Sequence, residues 1–174
     1  NNGSSERAVI EAIKIMEDSP LFNAGKGAVL DERGEVSLDA SFMNGEDLNA
    51  GAIAGVKKIK NPITAAYSVM KNTPQVLLIS EGADEFAKEQ GLDIVNNSYF
   101  ITERRRSQLL KNKTLSQLGD KKKSSPTISK FGTVGCVALD KNGNLSAGTS
   151  TGGRSNKKWG RVGDVPIIGA GNYA

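Results

Sequence analysis

Thr133 has the side chain and the position of a nucleophile for chemistry on amide bonds. It lies in the segment Gly-Thr-Val-Gly at residues 132–135, after a long polar stretch and at the start of an apolar run. A hydroxyl alone is a weak nucleophile, and the chain has no histidine to activate it. The free α-amine of an N-terminal threonine can serve as the base instead. The pattern therefore indicates a threonine that becomes reactive when the bond between Gly132 and Thr133 is cut.

Arg161 and Asp164 form a second candidate group, suited to the recognition of a zwitterion. They lie in the glycine-rich segment 160–164. An arginine fork binds a carboxylate through paired hydrogen bonds, and an aspartate accepts from an ammonium group, so the two suit the α-carboxylate and α-amine of an amino acid. Taken alone, such a pair is more often a surface ion pair, and a threonine at the start of a strand is more often structural. Both interpretations stay open on these residues alone.

The composition is that of a globular protein with one domain of ordinary size. Of the 174 residues, 37% are hydrophobic and 24% charged, and no run approaches the roughly 20 apolar residues that span a bilayer. Cys136 is the only cysteine, which excludes an internal disulfide and a cysteine-based metal site. The chain begins with Asn1, so no targeting signal can be judged. A cytoplasmic location is expected, with a periplasmic one as the alternative.

The net charge is +4, and two runs of three basic residues lie at 104–106 and 121–123. Both runs lie in one polar stretch that has no aromatic side chains to stack on bases. A solvated, flexible linker is therefore favoured over a nucleic-acid-binding module, whose binding would depend on these runs and fall steeply with salt.

Hydrophobic periodicity and turn signals predict a mixed α and β chain. Helices are predicted from Ser4 or Ser5 to Asp18, from Asn61-Pro62 to about Lys71, and from Glu81 to Gln90. The expected strands are residues 28–31, 34–42, 50–56 and 76–79, the first two forming a hairpin that turns at 31–34.

A second hairpin is predicted over residues 133–139 and 145–151, because Asn142-Gly143 is a preferred turn pair. The pattern decays before it, apart from some helical character near residues 102–110. We therefore expect one domain in two parts, residues 1–132 and 133–174. The first part has its core up to about residue 96 and a flexible linker over 97–132.

Six segments in order resemble the plant-type L-asparaginase/isoaspartyl peptidase (beta-aspartyl peptidase) family of the N-terminal nucleophile hydrolase superfamily, and the resemblance covers nearly the whole chain outside that linker. The segments are PLFNAGKGA at 20–28, NAGAIAGV at 49–56, GTVG at 132–135, TSTGG at 149–153, NK at 156–157 and GRVGD at 160–164. The resemblance implies an α+β fold, a four-layer αββα sandwich (Ntn-hydrolase), of which this chain is expected to be a fragment truncated at both ends. Sequence pattern alone supports mixed α and β structure with a β-rich second half.

The resemblance also implies a role for each matching residue. Thr133 would be the catalytic nucleophile, freed when its hydroxyl attacks the preceding carbonyl. Thr151 would hydrogen-bond near the nucleophile, and Asn23 would stabilise that region. Arg161 and Asp164 would hold the α-carboxylate and α-amine of an aspartyl group. The implied enzyme is a self-cleaving hydrolase that releases L-aspartate from β-aspartyl dipeptides and from L-asparagine.

No cofactor is expected apart from a structural sodium ion. The resemblance implies that backbone carbonyls would hold the ion, those of Met16, Glu17, Ser19, Phe22, Ala24 and Lys26. Such ligands leave almost no signature in a sequence. The implied partners are a small-molecule substrate and a second copy, in a dimer of cleaved α/β heterodimers. Neither nucleic acid nor a membrane is expected as a partner.

A few residues depart from the family's pattern. Asn44 stands where relatives commonly have aspartate, Arg154 where an apolar residue is usual, and Val165 where a small hydroxyl residue is common. The last two flank the substrate loop and so bear on the acyl-group preference. The family's glycine-rich opening strand is expected before Asn1 and its Gly-Thr-Gly segment after Ala174. Because that segment helps to form the oxyanion hole, we expect the 174 residues alone to be inactive as an amidase.

Two alternative functions remain on the sequence alone. A glycosylasparaginase-type amidase shares the fold and mechanism, but it usually has histidine-aspartate before its threonine, where this chain has Phe131-Gly132. A non-maturing relative that only binds amino acids would need no nucleophile.

Overall fold

The computed structural model describes residues 3–117 and 132–174. In chain order its elements are α1 (Ser5–Asp18), β1 (Leu38–Asn44), β2 (Ala50–Val56), α2 (Pro62–Asn72), β3 (Leu77–Ile79), α3 (Ser80–Glu89), a 3₁₀ helix (Asn97–Phe100), α4 (Glu103–Gln117), β4 (Val134–Leu139) and β5 (Leu145–Thr151). The prediction of mixed α and β structure is confirmed. None of the helices within the described ranges is long and apolar enough to cross a membrane.

The strands form one five-stranded sheet in the order β3-β2-β1-β5-β4. Neighbours are antiparallel except β2 and β3, which are parallel. Asp39 of β1 lies opposite Thr151 of β5, and Val134 of β4 lies opposite Ser150 of β5. Because β4 and β5 run antiparallel, the residue before Val134 reaches the end of β5. The register therefore brings Thr133 to Thr151.

Two helices cover the strands that carry the candidate site. Val9 and Ile13 of α1 are buried against β4 and β5, and α2 packs on β1 and β2. A Cβ at Gly148 of β5 would lie 2.8 to 3.0 Å from side-chain atoms of Val9, Ile13 and Ile63. The absence of a side chain there allows the helices to approach the strand that ends at Thr151.

Most elements lie where the sequence predicts them. Ser4 caps α1, as expected, because its Oγ accepts from the Arg7 N–H at 3.3 Å. The turn at 31–34 is present, and so is the second hairpin, in which the Asp140 N–H donates to the Asn144 carbonyl at 3.0 Å.

Residues 28–31 form no strand, and the second arm becomes a strand only from Leu38, where it pairs with β2 and β5, so the first predicted hairpin is wrong. The Val29 N–H donates to Asn23 Oδ1 at 2.9 Å. The Leu30 carbonyl accepts from the Asn156 N–H at 2.8 Å. These backbone groups, which a strand would offer to a neighbouring strand, bond to two loops instead.

The 3₁₀ helix (Asn97–Phe100) and α4 (Glu103–Gln117) lie where the sequence predicts a flexible linker. Phe100 and Leu109 are buried there, together with the charged side chain of Arg105. A helix with so few buried apolar side chains shows little hydrophobic periodicity, which is why the pattern did not reveal all of α4. The rest of the predicted linker, residues 118–131, lies outside the described residues.

Candidate active site

The two threonines of the predicted site are in hydrogen-bond contact. Thr133 Oγ1 donates to Thr151 Oγ1 at 3.1 Å. Thr151 is buried at the end of β5, whereas Thr133 is exposed just before β4. The Gly153 N–H donates to the same Thr151 oxygen at 3.0 Å. Thr151 thus accepts two hydrogen bonds, one of which orients the Thr133 hydroxyl and leaves its lone pairs accessible.

Asn23 holds the turn at Gly152 and Gly153 that follows Thr151. Its side-chain Nδ2 donates to the Gly153 carbonyl at 2.8 Å, and its backbone carbonyl accepts from the Gly152 N–H at 2.9 Å. A Cβ at Gly152 would lie 2.7 Å from Asn23 Oδ1, which explains why glycine occupies this position. A loop of the N-terminal part is therefore joined to the end of a C-terminal strand.

Arg161 lies beside the same turn, whereas the Asp164 carboxylate makes no comparable contact with the described residues. A Cβ built at Gly153 would lie 3.5 Å from Arg161 Nη1, so the guanidinium is adjacent to the peptide after Thr151. Both charged side chains are exposed. They form no ion pair with each other in the described part of the chain, where the five ion pairs join other residues. Both ionic groups are consequently accessible to a ligand.

Two buried charged side chains below the turn have no role in the sequence-based predictions. Asp39 and Lys157 are 1% and 6% exposed. Burial raises the pKa of the Asp39 carboxyl and lowers the pKa of the Lys157 ammonium, and the attraction between the two groups opposes both shifts. The sequence did contain a signal for Asp39, which is a charged residue inside the apolar run of β1. Lys157 lies in the NK segment at 156–157, to which the resemblance assigned no function.

Glu17 is a further buried carboxyl next to the site. Its Oε1 accepts from Ser150 Oγ at 2.7 Å and from the Ile63 N–H at 3.0 Å. Burial raises its pKa from 4.5 to about 8, which the hydrogen bonds only partly oppose. The residue before Thr151 is therefore held by a carboxyl that is protonated near neutral pH.

The carbonyls implied in sodium binding lie at the end of α1 and in the loop after it. Three of them already accept hydrogen bonds: Met16 from the Ser19 N–H at 3.3 Å, Glu17 from the Lys26 N–H at 2.7 Å, and Phe22 from Arg105 Nη2 at 3.5 Å. The carbonyls of Ser19, Ala24 and Lys26 receive no hydrogen bond from the described residues. Because a carbonyl oxygen has two lone pairs, all six keep acceptor capacity, and their chemistry fits a hard cation.

Arg105 of α4 holds the same loop, although the sequence predicts that its basic run is solvated. Arg105 is 2% exposed, and its Nε donates to the Gly27 carbonyl at 2.6 Å. Burial lowers the pKa of its guanidinium to about 10, still far above neutral pH. The charge therefore persists and is compensated by loop carbonyls, which anchors the loop that carries Asn23.

A cavity of about 400 Å³ adjoins the candidate site without containing its threonines. Lys157 and Gly160 lie in its wall, but Thr133 and Thr151 do not. Thr133 itself is exposed.

Comparison with known proteins identifies relatives along the whole chain. A family model described as asparaginase (Asparaginase_2) matches residues 1–174. The isoaspartyl peptidase/L-asparaginase of Bos taurus is 49% identical over 173 residues, which cover 99% of this chain and 54% of that protein. The isoaspartyl peptidase of Escherichia coli K12 is 47% identical over 168 residues, or 95% of this chain and 52% of that protein.

A putative isoaspartyl peptidase/L-asparaginase of Dictyostelium discoideum is 44% identical over 201 residues, covering 99% of this chain and 58% of that protein. The chain thus spans about half the length of the curated relatives that it matches. These matches confirm the resemblance that the six segments indicated. The chain belongs to the asparaginase family whose relatives are named isoaspartyl peptidase/L-asparaginase.

Proposed function

We propose that the full-length protein is a self-cleaving threonine hydrolase that acts on β-aspartyl dipeptides and on the side-chain amide of L-asparagine, releasing L-aspartate. The observation that supports this most directly is the 3.1 Å hydrogen bond from Thr133 Oγ1 to Thr151 Oγ1. It orients a hydroxyl that directly follows the Gly132 carbonyl in the chain. The names of the relatives supply the substrate class.

Maturation begins with attack of the Thr133 hydroxyl on the Gly132 carbonyl carbon. The C–N bond breaks, a C–O ester bond forms, and the proton of the hydroxyl passes to the departing nitrogen. Water then hydrolyses the ester, leaving a carboxylate on Gly132 and a free amine and hydroxyl on Thr133. Thr151 orients the attacking hydroxyl through its oxygen, which also accepts the Gly153 N–H.

Hydrolysis of the substrate repeats this chemistry with the new amine as the base. The Thr133 hydroxyl attacks the β-carbonyl, and ammonia or an amino acid leaves with the transferred proton. Water then releases aspartate from the ester. Arg161, which lies beside the turn that Asn23 fixes, binds the α-carboxylate, and Asp164 binds the α-amine; both side chains are exposed, and they do not pair with each other.

We also propose the family's two-sheet architecture for the full-length protein. Val137 and Leu139 of β4 are 65% and 69% exposed, while the alternate residues Val134 and Ala138 pack towards the core. A strand with an apolar side chain on each face is suited to a sheet covered on both sides. A second sheet would cover the open face, and two copies of the cleaved heterodimer would form the mature enzyme.

A sodium ion is proposed for the six carbonyls at the end of α1 and in the loop that follows it. Bound there, the ion would cross-link carbonyl oxygens of the segment that carries Asn23. Its contribution would be to the rigidity of that segment.

The mass of the purified full-length protein, followed over hours near neutral pH, tests the proposal. Two products divided between Gly132 and Thr133 are expected, and Thr133→Ala is expected to stay in one piece. The matured protein should release aspartate from β-aspartyl dipeptides faster than from glycosylated asparagine; the reverse order would indicate a glycosylasparaginase. A single mass that is stable for days would favour the non-maturing amino-acid-binding alternative.

A further inference from the structure

The ammonium of Lys157 is buried against the turn that follows Thr151. Its Nζ donates to the Gly152 carbonyl at 3.0 Å and to the Ser37 carbonyl at 2.7 Å. A Cβ at Gly153 would lie 3.4 Å from the same nitrogen. Removing an ammonium from water is costly unless its donors are bonded and its charge is balanced. A buried lysine at this position therefore requires an explanation.

Asp39 supplies the balancing charge from the neighbouring strand. It is the pairing partner of Thr151 in the β1–β5 ladder. Its Oδ1 accepts from the Gly55 N–H at 2.9 Å, and its Oδ2 has no hydrogen-bond partner in the described residues. The two charged groups form no ion pair within 4.0 Å in that part of the chain, so Lys157 keeps its donors for the carbonyls. The Lys157 ammonium therefore holds the Ser37 and Gly152 carbonyls, and the Asp39 carboxylate provides a nearby counter-charge.

The peptide that Lys157 fixes is the one that reaches Thr151. The Gly152 carbonyl and the Gly153 N–H belong to the same planar trans peptide and point in opposite directions. When the carbonyl is bound by Lys157 Nζ, the N–H is directed at Thr151 Oγ1, which it meets at 3.0 Å. Rotation of this plane would withdraw the N–H from the oxygen that orients Thr133.

From this geometry we infer that Lys157 is a positioning residue for the Thr133–Thr151 pair, with Asp39 as its counter-charge. The inference rests on the proposed threonine mechanism. Among the described residues, Lys157 Nζ forms its hydrogen bonds with the Ser37 and Gly152 carbonyls and none with Thr133, Arg161 or Asp164, so it acts through the Gly152–Gly153 peptide. Removing its ammonium should lower kcat and the rate of self-cleavage together, by on the order of 10²-fold, because small misplacement of reacting groups is costly. KM for a β-aspartyl dipeptide should change little.

The test compares Lys157→Met, Asp39→Asn and the double variant K157M/D39N in the full-length protein. Each single variant leaves one buried charge without its counterpart, so each is expected to unfold more readily, and the double variant to recover stability. If Lys157 positions the turn, kcat and self-cleavage stay low in the double variant although its stability returns. Lys158→Met is the matched control, since that neighbouring side chain is 49% exposed and, within the described residues, its ammonium contacts only the surface, at 3.9 Å from a Glu32 carboxylate oxygen and 5.8 Å from the centre of the exposed Trp159 ring.

Three outcomes would overturn the inference: recovery of kcat together with stability in the double variant, wild-type kcat in K157M, or a rise in KM alone. A separate readout covers the case in which the wild-type protein proves inactive. Hydrogen exchange at the Gly153 amide should be slow in the wild type and on the order of tenfold faster in K157M/D39N. Equal exchange in both proteins would overturn the inference, whereas an inactive wild type with the expected exchange would overturn only the proposed function.

Discussion

Replacement of Glu17 by glutamine is expected to remove a pH dependence of folding stability. The pKa of the folded carboxyl is raised to about 8, against 4.5 for the solvated group in an unfolded chain. The folded state therefore binds the proton more tightly. The stability contributed by this group is complete below pH 4.5 and is lost as the pH rises towards 8. At about 1.4 kcal/mol for each pKa unit, the loss is on the order of 5 kcal/mol.

Glutamine reproduces the neutral state of this side chain. Its Oε1 can still accept from Ser150 Oγ and from the Ile63 N–H, the two donors of the native site. Glu17→Gln should therefore have a stability similar to that of the parent near pH 5, and it should be the more stable of the two at pH 8.

Urea unfolding between pH 4.5 and 8 measures this difference, with both proteins in a Thr133→Ala background so that neither is cleaved. The control is Glu35→Gln, because Glu35 pairs with Lys57 at 2.6 Å and its pKa is lowered by that contact. That variant should keep the downward slope of the parent. Parallel stability profiles for the parent and Glu17→Gln would refute the reasoning, since they would mean that Glu17 takes up no proton when the protein folds.

Three further predictions concern the turn and its neighbours. Thr151→Val removes the acceptor of the Gly153 N–H and of the Thr133 hydroxyl; urea unfolding of uncleaved protein should show a loss of about 1–3 kcal/mol, and mass analysis should show slower self-cleavage. Gly152→Ala places a Cβ 2.7 Å from Asn23 Oδ1 and should lower the free energy of unfolding in urea by about 1–3 kcal/mol. Its control is Gly82→Ala in α3, where a Cβ meets nothing within 4 Å and no loss of stability is expected. Arg161→Met should lower kcat/KM for a β-aspartyl dipeptide by about 10²- to 10³-fold and leave self-cleavage near the wild-type rate; an equal loss in both assays would contradict a role confined to the substrate carboxylate.

The elements that local sequence determines were predictable. The β4–β5 hairpin depends on a turn at 140–144 and on two runs of strand-forming residues, so its register could be expected. That register alone brings Thr133 to Thr151. The missing strand at 28–31 was not predictable in this way, because the groups that bind its backbone come from loops distant in sequence.

Buried charges were the least accessible part of the site to sequence reasoning. The partners of Lys157 and Arg105 are backbone carbonyls, which every residue type has, so the partners leave no trace in composition. The run of three arginines at 104–106 predicts solvent exposure, and only the fold shows that its middle residue, Arg105, is buried. Asn23 was assigned through family resemblance, since nothing in its local pattern distinguishes it from other loop asparagines.

The sheet order has a consequence for the self-cleavage that we propose. β1, β2 and β3 precede the bond between Gly132 and Thr133, and β4 and β5 follow it, so that bond divides one continuous sheet. Once it is cut, the β1–β5 ladder, six residue pairs from Asp39–Thr151 to Asn44–Ser146, joins two separate polypeptides. Because the Thr133–Thr151 contact forms only in the folded sheet, the proposed cleavage requires prior folding. Refolding of the cleaved protein would be a bimolecular reaction that slows with dilution. A mature enzyme that unfolds at low concentration would lose its partner chain, so its working lifetime would be governed by the rate of unfolding.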